Sequence, residues 1–193
     1  MSDILFINAC VRSSSRTKRL ADCLLSALDA PFTEVRLADH VFPKVDEAFL
    51  TGRDAFKSAG DFSDPIFDLA RQFALAAHVV IAAPFWDLSF PTVLKQYFEH
   101  INVGGVTFCY ADDGSLKSLC RAEKLYYVTT AGGDFAPDSY GFGYVKELAQ
   151  SFYGIRDVEL IKATGLDIQG ADAEWILRGC EADILRRFGH ARA

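Results

Sequence analysis

Residues 3–25 read DILFINACVRSSSRTKRLADCLL, and the change of texture along them decides the fold. An unbroken apolar run ends in Asn8, Ala9 and Cys10. The next seven positions crowd together four hydroxyls (Ser13, Ser14, Ser15, Thr17) and two arginines (Arg12, Arg16). Leu20, Cys23, Leu24, Ala27 and Leu28 then recur at helical spacing, with Lys18, Arg19, Asp22 and Ser26 opposite. This is a strand that enters a helix through a hydroxyl-rich loop. The first orphan amides of a helix attract anions, so the loop is suited to hold a phosphate. The sequence allows two uses for one. Cys10, five residues, then Arg16 and Thr17 has the spacing of a cysteine phosphatase, in which a thiolate attacks the phosphate. The same groups also suit a phosphate that serves as the handle of a bound cofactor. A purely local reading, in which the hydroxyls only cap the helix, needs one of them and leaves three unexplained.

The same alternation continues along the chain. FTEVRL (32–37) alternates as a second strand. The stretch from His40 to Phe62 breaks periodicity and is expected to be the variable or mobile part. Asp64-Pro65 opens a helix carrying Phe67, Leu69, Ala70 and Phe73. AHVVIAAP (77–84) is apolar on both faces, as a strand covered by helices on two sides must be, and belongs at the centre of a sheet. Pro91 starts a helix with Leu94, Tyr97, Phe98 and Ile101. GVTFCYADDGSL (105–116) alternates up to an Asp-Gly turn, a small hairpin. KLYYVTTAGG (124–133) is the next strand and YVKELAQSFYG (144–154) its helix, closed by Gly154. VELIKATG (158–165) is a fifth strand, and Trp175, Ile176, Cys180, Ile184 and Phe188 mark a last helix. Five strands alternating with helices predict an α/β fold: a doubly wound parallel sheet with helices on both faces and ligands at the carboxyl ends of its strands.

Composition narrows the function classes. Half of the 193 residues are hydrophobic, which predicts one domain with a sizeable core over residues 1–193. The net charge is −6, and Arg16, Lys18 and Arg19 form only a short basic cluster, so a polynucleotide partner is not expected. FALAAHVVIAAPFW (73–86) is too short and too interrupted to cross a bilayer, and the N-terminus lacks a secretory pattern. Five cysteines without a C-x-x-C pair read as reduced thiols of a cytoplasmic protein. His40, His78, His100 and His190 fall on no ligand spacing, so no metal site is expected. The acidic residues that end the first strand of a phosphoacceptor receiver domain are absent.

Three loops therefore carry the chemistry: RSSSRT (12–17), PFWDLSFP (84–91) and TTAGG (129–133). The second places Phe85, Trp86, Leu88 and Phe90 at a strand end, as core or as the wall of a flat ring system. The third is either a turn or a glycine pair that lets backbone amides approach the electron-rich edge of a ring. Phosphate grip, aromatic wall and amide pair at adjacent strand ends together describe a phosphorylated planar cofactor, FMN.

PFWDLSFPTVLKQYFEHINVGGVTFCY (84–110) followed by TTAGG, together with S-x-T-x-x-L-A after the first strand, resembles the FMN-dependent NADH azoreductases and the related flavodoxin-like NAD(P)H quinone oxidoreductases. The resemblance runs from residue 3 to about residue 185 and is weakest from 40 to 62. It implies a flavodoxin-like sheet in the order 2-1-3-4-5. It implies hydride transfer from NADH or NADPH to FMN, followed by two-electron reduction of a quinone or azo compound in a ping-pong cycle. Cys10, Ser15, Arg16 and Thr17 would surround the FMN phosphate. Pro84, Phe85, Trp86, Asp87 and Leu88 would line the isoalloxazine ring, and Thr130, Ala131, Gly132 and Gly133 would meet its other edge. No side chain need act as nucleophile or base. Relatives often carry Asn at Asp87, and some carry Arg at Ala131. A homodimer is implied, without partner residues being assignable. Two other readings stay open: a flavodoxin-type electron carrier, and a low-molecular-weight phosphatase using Cys10 and Arg16. Against the phosphatase stand a loop without the usual Gly and Asn, and Asp138 followed by Ser139 and Tyr140 instead of Pro-Tyr.

Overall fold

The computed structural model describes residues 4–189. Asp3, at the head of the expected first strand, and His190 lie outside the described residues. The elements run β1 (Ile4–Asn8), α1 (Arg16–Leu28), β2 (Phe32–Arg36), α2 (Glu47–Ser58), α3 (Asp68–Leu75), β3 (His78–Ala82), α4 (Thr92–Ile101), β4 (Phe108–Tyr110), β5 (Leu116–Ser118), β6 (Lys124–Thr130), α5 (Phe142–Ser151), β7 (Asp157–Ala163) and α6 (Ala173–Phe188).

Five strands form one sheet in the order β2-β1-β3-β6-β7, every pair parallel. With the two hairpin strands left out of the count, this is the expected order 2-1-3-4-5. Why the middle strands read as continuous apolar runs is visible in the packing. Leu5, Ile7, Val79, Ile81, Leu125 and Tyr127 face one core, with Phe73, Leu94, Phe98 and Val145 from α3, α4 and α5. The alternate residues Ile4, Phe6, Val80, Ala82, Tyr126 and Val128 face a second core, built with Leu20, Leu24, Leu177 and Ile184 from α1 and α6. Each large side chain buried in this way contributes about 1.5–3 kcal/mol. β2 is an edge strand on which only Val35 is buried, hence its alternation.

β4 and β5 pair antiparallel as the hairpin, outside the main sheet. Asp64 accepts from Ile66 N–H and caps a short 3-10 turn that runs on into α3, so the helix begins three residues later than its Pro suggests.

One expectation is corrected. The segment from 40 to 62, read as breaking periodicity, contains α2, capped by Asp46. No residue of α2 is fully buried, but half-buried Phe49, Arg53 and Phe56 recur at helical spacing on one face, and Phe56 packs against the core. The helix is also held by side contacts: the Phe49 ring lies 5.3 Å from that of buried His100, and Arg53 sits over Phe49. The last helix, α6, forms where Trp175 to Phe188 mark it; Trp175 itself is 70% exposed, because Leu177, two residues on, takes the buried face and two residues turn a helix by more than half a revolution.

Candidate functional site

The loops after β1, β3 and β6 converge at the carboxyl edge of the sheet, and the loop after β7 joins them. Between them lies a cleft of about 420 Å³, within the range of small-molecule sites. Its lining combines Ser14, Ser15, Arg16 and Thr17 at the start of α1, Pro84, Phe85 and Trp86 after β3, and Thr130, Ala131 and Gly132 after β6. Val11, Arg12, Leu166 and Asp167 complete it.

The hydroxyl-rich loop divides its labour. Ser15 is the N-cap of α1 and its side chain accepts from Lys18 N–H at 3.3 Å. Thr17 is fully buried, and its hydroxyl pairs with that of Thr130 at 2.7 Å. Arg16 reaches across to the loop after β7, where Nη1 donates to the Asp167 carboxylate at 2.6 Å and to the Leu166 carbonyl at 3.3 Å. Arg12 makes no hydrogen bond or ion pair among the described residues and stays exposed.

Cys10 lies beneath this loop. It is 2% exposed, its thiol faces the Ala82 carbonyl at 3.8 Å, and it is absent from the cleft lining. Burial pushes its pKa above the ordinary thiol value, with Ser15 and Lys18 pulling weakly the other way. A phosphatase nucleophile needs the opposite, a lowered pKa and an exposed sulfur.

The aromatic wall is carried by a tight turn. Trp86 and Ser89 exchange both backbone hydrogen bonds, at 3.1 and 2.7 Å, so that Asp87 and Leu88 form the tip. Both have positive φ, 50° and 67°, the pattern of a type I′ turn, in which Asn and Gly are the easy residues. A leucine there is strained by about 1–2 kcal/mol. Asp87 and Leu88 are not among the residues that line the cleft. Phe85 N–H donates to the Thr130 carbonyl, which ties this loop to the next. Trp86 keeps 41% of its surface exposed at the cleft mouth. Ser89 Oγ donates to the Tyr140 carbonyl at 3.2 Å, joining the turn to the loop that carries exposed Phe135 and Tyr140.

After β6 the backbone continues as a ladder with the loop after β7. Ala131 N–H donates to Ala163, while the carbonyls of Ala131, Gly132 and Gly133 accept from Leu166, Asp167 and Gly165. The Gly132 and Gly133 amides take no part in that ladder. A Cβ at Gly132 would overlap the Asp167 carboxylate and displace that exposed side chain. Gly133 does not line the cleft. Leu166 and Asp167 line the cleft and were missed by sequence reading. Their signal, Gly165-Leu166-Asp167 after the fifth strand, lies in a loop whose composition is unremarkable.

The family described as flavodoxin-like fold matches residues 2–188. The chain is 33% identical over 184 residues to an FMN-dependent NADH:quinone oxidoreductase of Clostridium perfringens, covering 90% of this chain and 91% of that one. It is 35% identical over 192 residues to FMN-dependent NADH:quinone oxidoreductase 2 of Clostridium acetobutylicum, covering 92% and 94%. The chain belongs to the flavodoxin-like family, among the FMN-dependent NADH:quinone oxidoreductases. Solved flavodoxin-like structures agree in fold. An azoreductase from Bacillus anthracis superposes with a TM-score of 0.81 at 22% identity, covering 97% of this chain and 98% of that one. An FMN-dependent NADH-azoreductase from the same species, solved with FMN, gives 0.79 at 22% and covers 97% of each chain. In the flavodoxin-like sheet the cleft lies at the switch point, where α/β folds of this kind hold their ligands.

Proposed function

We propose that this chain is an FMN-dependent NADH oxidoreductase that reduces quinones or azo compounds, built as a single FMN-binding domain over residues 1–193 and working as a cytoplasmic homodimer. The observation that carries the reading is the strand-end cleft itself. One end offers helix-start amides, hydroxyls and Arg16 for a phosphate. The other offers the apolar wall of Phe85 and Trp86 for a flat ring.

The residues present fit FMN. Ser14, Ser15 and the first amides of α1 would hold the phosphate, with Thr17 supporting them from below through Thr130. Pro84, Phe85 and Trp86 would flank the ring, and the free amide of Gly132 would meet its polar edge, with Gly133 next to it in the same loop. Asp87 and Leu88 would act through the turn that aims Trp86. Cys10 would pack under the phosphate loop. FMN, when bound, supplies the two-electron chemistry that joins NADH oxidation to acceptor reduction. The protein's share is to bind, orient and limit water. The strained turn fixes Trp86, the buried Thr pair fixes the start of α1, and a ring held beside exposed Trp86 would present one side to both substrates in turn. That single side supports a ping-pong cycle.

Trp86 and Leu88 on PFWDLSFP and Tyr110 on the hairpin are exposed, an arrangement suited to a second copy. No helix among the described residues is long and apolar enough to cross a membrane. No group of three or more His, Cys, Asp or Glu among the described residues is placed to hold a metal ion.

The test is the absorption spectrum of the purified protein together with its kinetics. Flavin bands, FMN released on denaturation, sustained NADH consumption with a quinone and parallel double-reciprocal lines are expected. A flavin-free protein that binds no added FMN would overturn the reading. Flavin without sustained NADH turnover would favour an electron carrier.

A further inference from the structure

The Arg16–Asp167 pair lies inside the cleft that an anion is proposed to enter. Arg16 is half-exposed and its Nη1 is already committed, to the Asp167 carboxylate at 2.6 Å and the Leu166 carbonyl at 3.3 Å. The other carboxylate oxygen of Asp167 fills the space beside Gly132 that any larger residue would take. Arg16 and Asp167 are both part of the cleft lining, together with Ser14 and Ser15. A negative charge therefore occupies the guanidinium at the end of the cleft whose remaining groups are donors for a phosphate.

Building on the FMN reading above, we propose that Asp167 competes with the ligand's phosphate for Arg16 and thereby sets how strongly the cleft prefers phosphorylated over unphosphorylated flavin. The exchange is physically favourable. An ion pair as exposed as this one is worth little, whereas a phosphate dianion brings more charge and more acceptor oxygens to the same fork. Asp167 is a specificity-determining residue here and touches no reacting atom. Its main-chain N–H bond to the Gly132 carbonyl, at 2.8 Å, holds the loop whether or not the carboxylate is paired. The competition resides in the side chain alone.

The experiment titrates the full chain, freed of flavin, with FMN and separately with riboflavin, following flavin fluorescence. Asp167→Asn and Asp167→Ala should each tighten FMN binding by about threefold to tenfold, the range of one exposed ion pair and its repulsion, and move riboflavin by less than about twofold. In an Arg16→Gln background the gain from Asp167→Asn should fall below about twofold. Thermal midpoints near that of wild type confirm that the variants are folded. Unchanged or weaker FMN binding in both Asp167 variants would overturn the proposal, because the carboxylate would then be a support for Arg16. Equal tightening of FMN and riboflavin, or a full gain surviving Arg16→Gln, would overturn it as well. A wild-type chain that binds neither flavin would remove the cofactor reading itself, a result distinct from all of these.

Discussion

Thr17 and Thr130 meet hydroxyl to hydroxyl at 2.7 Å although 113 positions separate them in the chain. Each hydroxyl has one proton to give. In the pair one proton is spent on the partner and the other is left to point elsewhere, so the two threonines together offer a phosphate a single donor. The bond also ties the start of α1 to the end of β6, two of the loops that form the cleft.

Thr17→Val keeps the shape and strands the buried Thr130 hydroxyl. It should cost about 1–3 kcal/mol in urea unfolding, the usual penalty of an unpaired buried polar group. Adding Thr130→Val removes both partners and should restore most of that stability without restoring FMN affinity. For phosphate binding itself, replacing Ser15 and Thr17 together with Ala removes bonds to a charged group worth about 1.5–3 kcal/mol each, so FMN affinity should fall at least about tenfold, and excess FMN should restore NADH turnover. A double variant that binds FMN like wild type would refute the assignment of this loop.

Leu88 tests the strained turn. Its φ of 67° suits glycine, so Leu88→Gly should relieve strain and raise stability by about 1 kcal/mol, offset in part by the freer unfolded chain. For a chain of this size the thermal midpoint should rise by roughly 2–4 °C. Activity should move the other way, with a higher KM for the quinone, because the turn then holds Trp86 less firmly. A variant less stable than wild type would show that the leucine side chain contributes more than its backbone costs.

What sequence reading could reach follows from range. The apolar run at 77–84 marked a central strand because a parallel strand covered on both sides buries both faces, and the alternation at 32–37 marked a second strand, which the structure puts at the sheet edge. α2 escaped because its half-buried face, Phe49, Arg53 and Phe56, is a short stripe interrupted by a charge. The loop chemistry at Ser15 was local and legible, since a cap is defined within three residues. The Thr17–Thr130 bond, the Arg16–Asp167 pair and the fit of Asp167 against Gly132 each join segments far apart in the chain. Composition carries no mark of such pairings. Nor does any propensity rule foresee Leu88 in the left-handed region, where its type is disfavoured.

Cys10 separates a cofactor loop from a phosphatase loop. Its thiol is buried, points at the Ala82 carbonyl and has a raised pKa, so at neutral pH it should stay protonated and resist iodoacetamide in the folded chain. Cys10→Ser should retain at least about a tenth of quinone-dependent NADH turnover in FMN-saturated protein, since no step needs the sulfur. Loss of all turnover in folded, flavin-loaded Cys10→Ser would refute this placement.

Stability should fall in alkali, and the sign follows from which state holds the protons. Burial pushes the Cys120 thiol up to about 12 and that of Cys180 to about 11 from an ordinary value of 9.0, and raises the phenols of Tyr97, Tyr127 and Tyr153 as well. Above pH 9 the unfolded chain releases thiol protons that the folded chain keeps, so it binds fewer protons and stability decreases as pH rises. The stabilising difference is complete below pH 9 and is lost progressively up to the folded values near 11 and 12. Urea midpoints measured from pH 7 to 12 should therefore be flat with respect to these groups below 9 and decline steadily above it. Cys120→Ala should lower stability at pH 7 by leaving a small cavity, yet make the decline between 9 and 12 shallower, because one of the withheld protons is gone. An identical slope in Cys120→Ala and wild type would show that Cys120 ionises as readily in the folded chain as in the unfolded one.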